Sequence, residues 1–305
     1  MSVEIARLSA TELMRRFRRR ELSPVEATEA ALARIDECDG AVNAFRIVDG
    51  ERALEDARAS EARWMANAPL GPVDGVPTSI KDIVLTRGWS TLRGSRTIDP
   101  DQPWDDDAPS VARLRESGAV LLGKTTTPEF GWKGVTDSPL TGITRNPWHT
   151  GRTPGGSSGG AAAAAALGMG ALHIGTDGGG SIRMPGGFTG IFGLKPSFGR
   201  VPAWPGSVFG SLAHIGPMTR TVGDAALMMN VISRADARDW TALPATTRDY
   251  RVGLEDGVAG LRIAFSPALG HATVDPEIAA LVRSAVGVLE SLGAQVTEID
   301  PGFDD

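Results

Sequence analysis

Leu261-Arg262-Ile263-Ala264-Phe265, a span over 276–292 with Ile278, Leu281, Val282, Ala285, Leu289 and Leu292 on one helical face, and Gln295-Val296-Thr297-Glu298-Ile299 read in order as strand, helix, strand. That order implies a parallel strand pair joined by a right-handed crossover, and hence an α/β layered fold. The alternation extends backwards. Ile80 to Leu85 reads as a strand apart from its Lys81-Asp82 interruption, Ser110 to Glu116 as a helix, and Ala119 to Leu122 as a strand closed by Gly123. The polar stretches Arg93 to Ala108 and Ser233 to Gly260 read as surface excursions, and no internal repeat is visible.

Residues 1–65 read as helices. Ser9-Ala10-Thr11-Glu12 and Ser23-Pro24-Val25-Glu26 have capping-box spacing, in which a hydroxyl and a carboxylate satisfy the exposed amides of a helix start; Pro24 suits the first helical position. Behind the second start, Val25, Thr28, Leu32 and Ile35 recur at helical spacing and give a face to lay on a larger body. The run Arg15-Arg16-Phe17-Arg18-Arg19-Arg20 reads as a solvated face, since no aromatic or glycine motif of an RNA-binding module accompanies it. With 305 residues the chain can bury a sizeable core, and 31 Lys plus Arg against 37 Asp plus Glu (net −6) argue against a surface built to neutralise nucleic-acid phosphates. Cys38 is the single thiol and reads as packing, so no internal disulfide forms. Met1-Ser2-Val3-Glu4-Ile5 carries no export signal, and no stretch approaches 18 uninterrupted strongly apolar residues. A cytoplasmic protein with neither membrane nor nucleic-acid partners is the expectation.

Sixteen of the 38 glycines fall between Gly151 and Gly199. This span holds Gly155-Gly156-Ser157-Ser158-Gly159-Gly160, an alanine run from Ala161 to Ala166, and Gly175-Thr176-Asp177-Gly178-Gly179-Gly180-Ser181-Ile182-Arg183. Glycine clusters permit positive φ and bring amides close to another atom, which suits an anion, either a stable phosphate or a short-lived oxyanion. Gly118 to Thr125 matches the P-loop spacing literally, but its interior Ala119-Val120-Leu121-Leu122 is a continuous apolar strand rather than a phosphate-wrapping loop. The match therefore reads as chance, with Gly118 ending a helix. The glycine-serine block follows a loop rather than a strand, which disfavours a dinucleotide fingerprint. His149, His173, His214 and His271 lack ligand spacing, so neither a metal site nor a His-Asp triad is expected, and no cofactor is implied.

Nucleophilic chemistry remains, and here the blocks themselves speak. Gly75-Val76-Pro77-Thr78-Ser79-Ile80-Lys81-Asp82, the Gly155–Gly160 block, Gly175 to Pro185, Gly193-Leu194-Lys195-Pro196-Ser197-Phe198-Gly199-Arg200, and His214-Ile215-Gly216-Pro217-Met218-Thr219-Arg220 together resemble the amidase signature family, serine hydrolases that use a Ser-Ser-Lys triad. The resemblance implies a mixed central β-sheet sandwiched by helices, with an N-terminal helical region (1–65) packed on a core (66–305), effectively one domain. It implies Ser181 as nucleophile, Ser157 as bridging serine, 24 residues earlier, and Lys81 as terminal base. Ser157 would relay the proton from Ser181 to Lys81 and return it to the leaving amine, so one chain of groups serves as base and acid. A lysine can do this only if burial or a cationic neighbour makes it neutral. The amides of Gly178, Gly179, Gly180 and Ser181 would form the oxyanion hole, where losing one donor typically costs about 3 kcal/mol. Asp177 and Arg183 would brace that loop, Gly156-Ser157 would be cis, and Ser158 would support the site while helping to cap a helix through the alanines. For Lys195 the reading is structural, an exposed turn.

The expected activity is hydrolysis of a small-molecule carboxamide through an acyl-enzyme on Ser181. The alternatives are the glutaminase component of a tRNA-dependent amidotransferase, from whose frequent Asp-Gln this chain departs at Ala213-His214, and a catalytically impaired amidase acting as a binding protein. Asn146-Pro147-Trp148 and Trp204-Pro205-Gly206 are candidate pocket walls. By the same resemblance the chain is short, ending at Pro301-Gly302-Phe303-Asp304-Asp305 soon after the Gln295–Ile299 strand. Its C-terminal part is expected to be missing, and the open sheet edge favours pairing with another chain, which leaves a homo-oligomer open.

Overall fold

The computed structural model describes residues 2–302; the terminal Phe303, Asp304 and Asp305 of the expected core segment lie outside the described residues. Three helices lead the chain, α1 (Ser2–Ala6), α2 (Ala10–Arg19) and α3 (Pro24–Val42). The capping box at Ser23 forms in full, with Ser23 Oγ accepting from the Glu26 amide and the Glu26 carboxylate accepting from the Ser23 amide. At Ser9 only half of it forms. Ser9 Oγ accepts from the Glu12 amide, but the Glu12 carboxylate turns to Arg15 and Arg16 on the solvated face, because a guanidinium is a stronger partner than a neutral amide.

The core follows as β1 (Phe45–Val48), α4 (Gly50–Met65), β2 (Pro77–Lys81), α5 (Pro109–Glu116), β3 (Val120–Thr125), the short hairpin β4 (Asp137–Ser138) and β5 (Gly142–Ile143), α6 (Gly159–Leu167), β6 (Leu172–Asp177), α7 (Arg183–Thr189), β7 (Phe192–Gly193), β8 (His214–Thr219) and α8 (Val222–Ile232). Six strands form one mixed sheet in the order β1-β3-β2-β6-β8-β7. Its centre is parallel, β3 with β2 and β2 with β6, and its flanks are antiparallel. The alternation of β3 shows the sandwich: Leu121 joins one apolar cluster, with Phe17, Leu114 and Met228, while Val120 and Leu122 join another, with Ile35, Ala163 and Ala164. Helices cover both faces, and the mixed α/β class read from the sequence holds.

The chain divides into two compact units, the first ending at Tyr250 and the second beginning at Arg251. In the second, β9 (Arg262–Phe265), α9 (Pro276–Ser291) and β10 (Gln295–Glu298) follow in order, and β9 pairs in parallel with β10 from Arg262↔Gln295 to Phe265↔Glu298. The strand-helix-strand pattern is therefore met almost to the residue.

Two boundaries differ from expectation. β2 spans Pro77–Lys81 rather than Ile80–Leu85, beginning earlier and ending at Lys81; the Val84 amide turns back to the Lys81 carbonyl at 3.0 Å, and Ile83, Val84 and Leu85 owe their apolar character to a cavity wall instead of to a strand. Gly123 does not close β3 but lies inside it. At φ +151° it lets β1 approach so closely that a Cβ there would sit 1.9 Å from the Ile47 carbonyl oxygen. The surface reading of 93–108 also needs amendment, since Gly94 and Ser95 are buried. The P-loop spacing has no phosphate geometry: all of β3 is buried, and Lys124 Nζ donates inward to the Val84 carbonyl and to the hydroxyls of Thr86 and Thr91 at 2.6–3.0 Å.

Candidate active site

The site assembles at the C-terminal ends of the two adjacent parallel strands β2 and β6, the edge where parallel sheets commonly place ligands. The register Ile80↔Ile174 carries Lys81 beside the Gly175-Thr176-Asp177 end of β6. Helix α6 delivers the serines. Every residue from Gly159 to Ala165 is buried, and a Cβ on Gly160 would meet the Ala44 carbonyl oxygen at 2.5 Å, so only a helix of small side chains fits here. Its N-terminus ends at Ser157-Ser158 beside Lys81.

Lys81 is fully buried, with Nζ 2.7 Å from Ser157 Oγ, 2.8 Å from Ser158 Oγ and 2.8 Å from Thr176 Oγ1. Burial pushes its ammonium well below the usual lysine range, opposed only by the Asp177 carboxylate. The positive end of α6 acts in the same direction. A neutral amine has two N–H donors and one lone pair. Ser158 Oγ already directs its hydrogen to the Thr176 carbonyl at 3.1 Å and accepts from the Thr176 amide at 3.2 Å, so it can only accept from Lys81. The lone pair is left for the hydroxyl of Ser157 or Thr176, both of which line the same cavity.

Ser158 does not help to cap α6 as expected. It occupies the N-cap position of α6, yet its side chain makes no cap bond; the Gly159 amide is satisfied by Thr136 Oγ1 at 3.1 Å. Ser158 instead holds Lys81 and Thr176 together. Its own amide donates to the Ser181 carbonyl at 3.1 Å and ties the glycine loop to the serine pair. The Gly156-Ser157 bond is cis, and Gly131 passes over Ser157 closely enough that a Cβ there would lie 3.3 Å from its hydroxyl.

Asp177 organises the glycine loop. Its carboxylate accepts from the amides of Gly180 at 2.7 Å and Ile182 at 3.1 Å and pairs bidentately with Arg183 at 2.9 Å. Burial alone would raise the Asp177 carboxyl, but Arg183 and these amides outweigh it and hold it well below the usual carboxylate range. The amide of Gly180 is thus committed to Asp177 and leaves the expected oxyanion set, because one N–H cannot serve both anions at full strength. The amides of Gly178, Gly179 and Ser181 donate to no group among the described residues.

Ser157, Ser181, Gly178 and Gly179 line one cavity of about 560 Å³. The serine hydroxyls are not hydrogen-bonded to each other; they face a shared space. Trp204-Pro205-Gly206 forms part of the wall, as expected, but Asn146-Pro147-Trp148 does not: the Trp148 indole bonds the Thr189 carbonyl at 2.7 Å outside the cavity. The sequence reading passed over Trp132, which stacks on Phe209 with ring centroids 5.6 Å apart. It also passed over Thr176 as a lysine partner, although Thr176 immediately precedes Asp177 in a block already singled out. His173 is buried with Nδ1 2.7 Å from Ser79 Oγ, and burial drives its pKa down to about 3, so it serves the core. Lys195 is half-buried and donates to the Pro196 carbonyl. Among the described residues no cluster of three or more metal-ligating side chains occurs, and no helix is long and apolar enough to cross a membrane.

Fold and geometry thus define a protein with a buried lysine beneath paired serines, at the floor of a cavity bordered by an amide-rich loop. The chain matches the Amidase family over residues 26–303. It is 41% identical to an acylamidase of Rhodococcus erythropolis over 295 residues, covering 96% of this chain and 62% of that one. It is 43% identical to a glutamyl-tRNA(Gln) amidotransferase component of Moorella thermoacetica over 298 residues, covering 97% and 61%. A solved bacterial aryl acylamidase of the amidase signature enzymes superposes with a TM-score of 0.89 at 36% identity, covering 98% of this chain and 62% of that chain. The chain belongs to the Amidase family. It spans about 60% of the length of these relatives.

Proposed function

We propose that the protein is an amidohydrolase that cleaves a carboxamide to a carboxylate and ammonia or an amine through an acyl-enzyme on Ser181. The observation that carries this reading is the fully buried Lys81, 2.7 Å from a serine that shares its cavity with Ser181. Ser181 Oγ attacks the amide carbon as its proton passes to Ser157, whose own proton passes to the Lys81 lone pair. The resulting oxyanion accepts from amides of the Gly178–Ser181 loop, Gly180 excepted, and Asp177 with Arg183 fixes that loop before the charge develops. Collapse breaks the carbon–nitrogen bond, and the proton returns through Ser157 to the departing nitrogen. Water then enters by the same relay and releases the carboxylate.

The similarity to an amidotransferase component supports a second reading, in which glutamine is the amide and the ammonia goes to a partner. Mass spectrometry after treatment with a fluorophosphonate tests the shared chemistry: an adduct on Ser181 in the folded chain is expected, and its absence would sink both readings. Ammonia release from glutamine, compared with release from simple carboxamides, separates the two.

A further inference from the structure

The cavity carries one charged group that is outside the relay and has no side-chain partner among the described residues. Arg93 lines it together with Ser157 and Ser181. Among the described residues its side chain makes no hydrogen bond, ion pair or ring contact, and its Nε is buried without a partner. The other ionisable groups of the lining are engaged. Asp177 is held by Arg183 and two amides, Lys133 pairs with Asp137 at 2.8 Å, and His214 Nδ1 donates to the carbonyls of Leu212 and Asp177 at 2.8 and 3.1 Å. Glu129, beside the lining residue Phe130, accepts from Ser95 Oγ at 2.7 Å and makes no pair with Arg93.

Arg93 is also firmly mounted. Its backbone stands at φ +54°, a left-handed conformation that a residue with a Cβ adopts at a cost. Two hydrogen bonds hold it there, from the Arg93 amide to the Asp82 carbonyl at 3.0 Å and from the Phe130 amide to the Arg93 carbonyl at 2.7 Å. Asp82 is itself fixed by Arg46 at 2.7 Å and lies 3.9 Å from Lys124. The next residue, Gly94, packs so tightly that a Cβ would stand 2.5 Å from the Thr127 carbonyl oxygen, so the segment cannot swing away. A partly desolvated guanidinium among apolar walls is costly until an anion meets it, and its planar fork fits a carboxylate with two parallel hydrogen bonds.

Resting on the reading of this cavity as the amide site, we propose that Arg93 is a specificity residue that receives a carboxylate on the substrate. The preferred amides are then monoamides bearing a negative charge at the far end from the scissile bond. Succinamate, glutaramate and adipamate, compared with the uncharged butanamide, pentanamide and hexanamide, scan the spacer between amide and charge. For the spacer that fits, the intact chain should favour the carboxylate-bearing amide by about tenfold or more in kcat/KM. In Arg93→Gln that ratio should fall to about 1, chiefly through KM, and Arg93→Lys, which keeps the charge but loses the fork, should lie between. A wild-type ratio at or below 1 for every spacer, or a ratio unchanged in Arg93→Gln, would overturn the proposal. Calorimetric titration of glutaramate separates the two readings. Binding that requires Arg93 with no turnover of any amide would refute the hydrolase and keep the carboxylate site; turnover of the uncharged amides without charge preference would do the reverse.

Discussion

Replacing Lys81 by Met keeps most of the buried volume and removes only the amine, which makes it a direct probe of the relay. Lys81 Nζ has three hydroxyl neighbours at 2.7–2.8 Å. Ser158 retains its bonds to the Thr176 carbonyl and amide after the substitution, so roughly two hydrogen bonds are lost, worth about 1 kcal/mol each. Folding no longer has to strip a proton from a buried lysine, which offsets part of that loss. The fold should therefore survive, with the thermal midpoint displaced by a few degrees at most. Activity should not survive: proton transfer through a positioned group is worth about 10²–10⁴-fold, and here one group serves as both base and acid. A drop of about 10³–10⁴ in kcat/KM is expected, equivalent to about 4–5.5 kcal/mol at ~1.36 kcal/mol per decade. Ammonia release and the rate of fluorophosphonate labelling measure it on the full chain. Because burial keeps the Lys81 ammonium well below the ordinary lysine range, the wild-type rate should fall as the pH drops through that depressed value and should be level in the range where exposed lysines titrate. Turnover within tenfold of wild type in Lys81→Met, or a wild-type rate still climbing through the exposed-lysine range, would refute the reasoning.

Arg183→Met leaves Asp177 with its amide donors but removes the bidentate pair, so the loop loses stiffness; kcat should fall by about 10- to 100-fold with a smaller change in KM, measured by steady-state kinetics. Gly123→Ala forces a Cβ into the Ile47 carbonyl at a backbone φ of +151°, and urea denaturation should show a loss of about 3 kcal/mol or more, because backbone must move. Buried Lys124, whose pKa burial lowers to about 7 despite Asp82, binds fewer protons folded than unfolded between that value and the unfolded-lysine value of about 10.4. Stability should accordingly rise with pH across that window, with a contribution of up to about 1.4 kcal/mol per pH unit, and the rise should be shallower in Lys124→Met when thermal midpoints are compared at pH 7 and pH 9.

What lies in contiguous sequence was legible. The strand-helix-strand at 262–298, the capping box at Ser23 and the alanine-rich helix at 159–167 follow from periodicity, cap chemistry and side-chain volume, each of which acts within a few residues. The glycine-serine blocks likewise pointed to an anion held by backbone amides, because glycines allow such close backbone approach, and the resemblance of those blocks to the amidase signature family supplied the amide chemistry. What the sequence could not decide is how donors are shared out. That Ser158 grips Lys81 rather than capping α6 and that Thr176 completes the lysine's surroundings depend on distances of 2.8–3.2 Å between segments far apart in the chain, and that Gly180 spends its amide on Asp177, three residues before it, depends on how the loop folds back on that carboxylate. The same holds for Arg93. In sequence it opens a polar stretch that reads as surface; its place on the cavity wall is fixed by hydrogen bonds to the backbone of Asp82 and Phe130. Composition states which groups exist, but burial and hydrogen-bond competition, which set protonation and availability, arise only when the sheet brings the ends of β2 and β6 together.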